Sequence, residues 1–224
     1  MLRHILDAFT LLCSNDSELR EIIFVTLRMS FYSTTVASLI GIPIGILIGA
    51  NDFFGKKLVR RLCNTLMGIP PVVGGLIVFL LLSRSGPLGE YKLLYSVKAM
   101  VIAQVVLITP IVVSLTLPNV GKIAPSIHET ADGIHLSAPV TYYLLFHECR
   151  KELVSIIASA FGRSIAEVGA VSLVGGNIQF KTRVMTTAIM LETNRGNFQF
   201  AVALGIVLLL ISFGINSIVA CLQE

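Results

Sequence analysis

The sequence predicts an all-α, polytopic membrane protein with about five transmembrane helices, and three observations carry that expectation. Of its 224 residues, 54% are apolar and only 13% are charged, too little charge to cover a soluble domain. Mean hydropathy is +0.84. Five windows are long and apolar enough to cross a bilayer. Each crossing needs roughly 20 residues, because about 1.5 Å of rise per residue must cover about 30 Å of hydrocarbon.

The first window runs from about Ile22 to Ala50 and exceeds the length a crossing needs. Residues 1–21 precede it as an N-terminal segment, in which Leu2 to Cys13 carry apolar residues at helical spacing and are expected to lie flat on the membrane. The stretch from Met1 to Asp7 does not read as a signal peptide, since Asp7 interrupts it and no small-residue cleavage site follows. The second window is about Leu62 to Ser83, the third Val97 to Leu117, the fourth Leu153 to Val174 and the fifth Phe200 to Leu222. Residues 22–224 are thus expected to form one transmembrane domain, with a long polar loop at about 118–152.

Pro43, Pro70, Pro71 and Pro110 fall inside the windows, where each removes a backbone hydrogen bond that hydrocarbon cannot replace. Pro70-Pro71 followed by Gly74-Gly75 predicts a bent, cavity-facing helix. Gly41, Gly45 and Gly49 recur every fourth residue and give the first span a smooth face for close helix packing. Lys56, Lys57, Arg60 and Arg61 crowd a short loop and favour the cytoplasm for it. Five spans then put the N-terminus outside, and the C-terminus and the polar loop inside.

The charges inside the spans are few enough to examine singly. Arg163 and Glu167 stand four apart on the fourth window, so on one helix they share a face and can pair. An Arg at the bilayer centre costs roughly 2.5–3.5 kcal/mol on insertion scales, which a partner reduces. The pair is either a salt bridge that fixes packing or, with Ser159 and Ser164 nearby, part of a transport route. Residues 182–192 are an amphipathic helix candidate on the outer side, suited to docking an external protein or to lying re-entrant between spans.

Several chemistries are excluded. His4, His128, His135 and His147 form no metal-ligand set, and His147-Glu148 lacks the second histidine of a zinc-hydrolase helix. Cys13, Cys63, Cys149 and Cys221 lie far apart and read as free thiols. No Gly-x-x-x-x-Gly-Lys-Ser/Thr loop occurs, so ATP would have to be used by a partner chain. The formal charge of +4 forms no basic stripe, against nucleic-acid binding. A membrane-embedded hydrolase or transferase using Glu148 or Glu167 lacks a nucleophile and base at useful spacing. A packing subunit without a pathway remains open, in which Arg163 and Glu167 are only structural.

Glu129-Thr130-Ala131 resembles the start of the cytoplasmic signature of type I ATP-binding-cassette (ABC) importer permeases, Glu-Ala-Ala with a glycine further on. His135 stands where that glycine is usual, unless Gly133 serves, and His147-Glu148 stand in place of Leu-Pro. Pro70-Pro71-Val-Val-Gly74-Gly75, Ser83 to Gly89, Gly162 to Ala170 and Val174 to Asn177 are similar to the oxyanion branch that includes molybdate, sulfate and tungstate permeases. Thr182 to Ile189 with Leu191-Glu192-Thr193 look most like the tungstate permeases, molybdate being the nearest alternative.

The resemblance implies a homodimer in the cytoplasmic membrane, two ABC ATPase subunits that hold ATP and magnesium, and an extracytoplasmic oxyanion-binding protein. No cofactor is implied for this chain. Glu129, Thr130, Ala131, Asp132, Gly133 and His135 would form the coupling element seated on the ATPase. Tight capture of the anion would belong to the binding protein. Arg163 would offset charge near the route, with Glu167 opposing a purely attractive pore, and Thr109, Ser159 and Asn177 would be weaker pathway candidates.

Overall fold

In the computed structural model, residues 16–223 are described, with side chains from 16 to 221. The expected surface segment Leu2 to Cys13 lies outside the described residues. Helix α1, Ser17–Ala50, begins ahead of the expected Ile22 because Asp16 caps it, accepting from the amides of Glu18 and Leu19. Its 34 residues reach about 50 Å at helical rise, well beyond one bilayer core.

The second window is not one continuous span. Helix α2, Lys56–Met67, and helix α3, Pro71–Leu82, meet at 94° across Gly68-Ile69-Pro70. Pro70 is extended and Pro71 occupies the first turn of α3, where its missing N–H costs nothing. Helix α2 buries none of its residues and sorts them by face, with Lys57, Arg60 and Arg61 against Leu58, Leu62 and Leu66. The basic cluster is therefore helical rather than a loop.

Helix α4, Val97–Gly133, is the largest departure from expectation. It continues past Leu117 for four more turns with Pro118 and Pro125 inside it, each removing one amide without stopping the helix. The supposed long loop thus reduces to short links around helix α5, Ala138–Glu148, before helix α6, Arg150–Ile165. The fourth span is also broken: helix α7, Gly169–Gly175, leaves α6 at 58°. Helix α8, Met185–Asn194, starts later than residue 182 and buries Met185, Thr186, Thr187, Ala188 and Glu192, so it is an integral wall rather than a free surface helix. Helix α9, Phe198–Gln223, completes the described chain.

Among the described residues three helices are long and apolar enough to cross a membrane, or five when each bent pair counts as one span. Leu209, Leu210, Phe213 and Ile218 stand exposed along α9, as lipid-facing side chains must in a multi-pass membrane protein. The core is built on α1 and α4, which run parallel. A Cβ placed on Gly41, Gly45 or Gly49 would come within 2.8, 2.6 and 2.9 Å of Val112, Thr116 and Val120 respectively. Helix α6 returns antiparallel, with Cys149 and Leu153 in one core cluster with Ile42 and Ile46 at its start and Ser164 against Ser33, midway along α1, at its end. Thus Ala50, Gly133, α5 and Arg150 gather at one end of the molecule, and Ser17, Ser96, Gly175 and α8 at the other.

Candidate functional site

Ser33 lies midway along α1 and marks the middle depth of the protein. There it meets Gln104 of α4 and Ser164 of α6, all three fully buried. Gln104 Oε1 accepts from both Ser33 Oγ and Ser164 Oγ, the latter at 2.7 Å, and Gln104 Nε2 donates to the Ser164 carbonyl at 2.8 Å. The two hydroxyls approach each other at 3.2 Å, and the single Ser33 proton is shared between Gln104 and the Met29 carbonyl, which lies 2.7 Å from Ser33 Oγ. Buried polar groups in an apolar medium hold only when satisfied in this way. The cluster fixes the last turn of α6 to the α1–α4 frame.

Immediately beyond it the chain breaks. Helix α6 ends at Ile165, and Glu167 lies past that end rather than one turn further along it. The expected Arg163–Glu167 ion pair is therefore absent. Among the described residues the ion pairs are Lys56–Asp52, Arg183–Glu18 and Arg195–Glu192. Four-residue spacing brings side chains together only while the helix continues. Glu167 instead is 7% exposed, accepts from the Ala170 amide at 3.2 Å, and receives the Thr186 hydroxyl on its own carbonyl at 2.8 Å.

Arg163 is exposed and makes no hydrogen bond or ion pair among the described residues, although Ser164 and Ile165 beside it are buried. It lines a cavity of about 310 Å³ with Pro71, Val72, Ala166, Glu167, Val168 and Gly169. Both interrupted spans contribute to this cavity. They are locked at their breaks by close packing, since a Cβ on Gly75 would fall 2.5 Å from Ala170 Cα and one on Gly169 would fall 2.6 Å from Val72 Cγ2. Pro70 and Pro71 thus sit at the turn that opens one wall of the cavity.

The other candidates lie elsewhere. Thr109 donates to the Val105 carbonyl within α4, and Ser159 to the Ser155 carbonyl within α6. Asn177, in the left-handed region with φ of 50°, follows α7 at the Ser17 end. None of the three lines the Arg163 cavity. A larger groove of about 770 Å³ between α1, α6 and α9 is lined mainly by apolar side chains, with Thr34, Thr35, Ser38 and Arg150 among them.

At the Ala50 end, Glu129, Thr130, Ala131, Asp132 and Gly133 form the last turns of α4 rather than a loop, and His135 follows with φ of 53°. Ala131 is buried, while Glu129, Thr130, Asp132, Gly133 and His135 are exposed. Sequence reading missed the neighbouring α5. Leu145 and Cys149 anchor it in the core, and Tyr142 exchanges hydrogen bonds with Asn51 at 2.8 and 3.1 Å. Its other face leaves Val140, Tyr143 and Phe146 exposed, with Tyr143 stacked on His147. The three-residue recurrence of these apolar residues was the available signal.

No protein-family model matches the chain. It is 40% identical over 220 residues to the tungstate uptake system permease protein TupB of Peptoclostridium acidaminophilum, covering 97% of this chain and 95% of that protein. A probable anion ABC transporter permease protein of Haloferax volcanii is 38% identical over 215 residues, covering 94% and 93%. Among solved structures, an inward-facing form of the MetNI methionine ABC transporter superposes with a TM-score of 0.70 at 16% identity, over 92% of this chain and 97% of that one. The last shows a shared fold.

Proposed function

The chain belongs to the family of ABC-transporter permease subunits, and from that membership we propose that it is the membrane-spanning subunit of a tungstate importer. The observation that carries this reading is the 40% identity with a tungstate permease over nearly the full length of both chains. The chain is a transport subunit rather than an enzyme. ATP and magnesium would be held by separate ATPase chains, and an extracytoplasmic binding protein would deliver the anion. Two copies of this chain would enclose the route as a homodimer.

The Ala50 end would face the cytoplasm. Lys56, Lys57, Arg60 and Arg61 lie there, consistent with the preference of basic residues for that side; the N-terminus would then lie outside and the C-terminus inside. On this orientation α5 and the exposed end of α4 from Glu129 to His135 would dock the ATPase. Closure of the ATPase pair would push on α5, whose buried Leu145 and Cys149 pass the displacement into α1 and α6.

Elemental analysis of cells lacking the gene, with and without restoration, on nanomolar tungstate plus molybdate tests the substrate. Tungsten falling alone on deletion and recovering on restoration is expected. A matching fall in molybdenum widens the substrate to oxyanions generally, and no change in either refutes the reading.

A further inference from the structure

We propose that the cavity at the two helix breaks is a transit site for a tetrahedral, doubly charged oxyanion, with Arg163 as its cationic contact. The inference rests on the importer reading and adds the place and the side chain that meet the cargo.

Depth is the first argument. Ser164 bonds to Ser33, midway along α1, so the adjacent Arg163 lies close to the middle of the bilayer. An unpaired guanidinium is not stable against lipid tails at that depth, and charges found there face a water-filled route or a partner. Among the described residues Arg163 has no partner, and it is exposed on the molecular surface. Its face of the molecule is therefore turned to the route, not to lipid.

The cavity wall favours an anion as well. Discontinuous spans create anion sites because a half-helix start presents unsatisfied amides to the midplane. Helix α3, 12 residues long, starts at this cavity with Pro71 and Val72; Pro71 has no N–H and the Val73 and Gly74 amides bond the Pro70 carbonyl, so the Val72 amide alone of this first turn is left to face the cavity. The Glu167 carboxylate is nine-tenths buried and accepts from the Ala170 amide, so it positions the start of α7 rather than neutralising Arg163. One cation with a carboxylate close by gives weak, reversible attraction, which a route needs if the anion is to leave.

The test uses the reconstituted complex of permease, ATPase and binding protein in proteoliposomes, with tungstate as cargo. Tungstate imported per ATP hydrolysed should fall about tenfold in Arg163→Gln, the scale of one lost charge-assisted contact, and should largely return in Arg163→Lys. Import by Arg163→Gln at the wild-type ratio overturns the proposal. A second measurement keeps the native Arg163 and does not depend on that variant folding. Ala166→Cys, with the four native cysteines replaced by alanine, is labelled with anionic and cationic methanethiosulfonates. Faster anionic labelling, slowed by added tungstate, is expected, and equal rates or faster cationic labelling overturn the site. A wild-type complex that imports no tungstate, yet shows the anionic preference, rejects the importer reading while leaving the anion site standing.

Discussion

Replacing Gln104 by leucine removes the polar knot at mid-depth while nearly conserving volume. Gln104 is 0% exposed and takes part in three hydrogen bonds, two accepted on Oε1 and one donated from Nε2. Side-chain bonds between membrane helices are worth on average about 0.6 kcal/mol and at most about 1.7. Three of them give about 2–5 kcal/mol. Ser33 retains the Met29 carbonyl, whereas the Ser164 carbonyl loses the amide donor and its hydroxyl keeps only Ser33. The cost should therefore fall mainly on α6. Reversible unfolding in mixed micelles should show a loss of about 2–5 kcal/mol for Gln104→Leu. The triple variant Ser33→Ala, Gln104→Leu, Ser164→Ala should lose less than the sum of the singles, because no donor is left stranded. A change below about 0.5 kcal/mol in Gln104→Leu, or strict additivity in the triple, would refute the reasoning.

Further outcomes follow from other contacts. Gly45→Val should destabilise by at least about 1–3 kcal/mol, since its Cβ would meet Thr116 at 2.6 Å, whereas Gly205→Ala, with open space around it, should be neutral or stabilising in the same assay. Glu18→Ala should lower the melting temperature because it strands Arg183, whose side chain is 9% exposed, while Asp52→Ala should not, its carboxylate being 97% exposed. Burial pushes the Cys149 thiol up, with Glu152 and Glu148 adding to the shift. The fold thus favours the protonated thiol, and this contribution is lost as pH rises past the ordinary thiol value of about 8.5. Maleimide at pH 8 should accordingly label exposed Cys221 well before Cys149. Glu129→Lys and Tyr143→Asp should each leave the chain inserted but reduce copurification of the ATPase; full recovery of the ATPase with both would exclude this end as its dock.

Five apolar windows and the four-residue glycine spacing were legible because both depend on composition and helical period alone. The break at Gly68 to Pro70 was visible through its prolines. The break after Ile165 was not, since no proline stands in it and the residues from Ala166 to Val168 are good helix or strand formers; a tertiary bond from Thr186 and a local one from the Ala170 amide to Glu167 hold it open. Missing that break led directly to the mistaken Arg163–Glu167 pair. The opposite error occurred in α4, where Pro118, Pro125 and the polar run from Glu129 read as a loop although packing of Val120, Ala124 and Ala131 keeps the helix intact. Gln104 passed unnoticed because a lone amide in an apolar window carries no local signature; its meaning lies in Ser33 and Ser164, 71 and 60 residues away in sequence.

The glycine contacts between α1 and α4 also restrict how the molecule can move. Gly41, Gly45 and Gly49 receive Val112, Thr116 and Val120 like notches receiving teeth, and four residues of helix set their pitch at about 6 Å. A slide of half that distance would drive each tooth into a ridge of side chains, so the two helices can be in register or a full notch out, but not between. Small sliding of one helix along the other is thereby suppressed in the frame. A machine driven by discrete hydrolysis events gains from such a detent: its strokes end at defined stops.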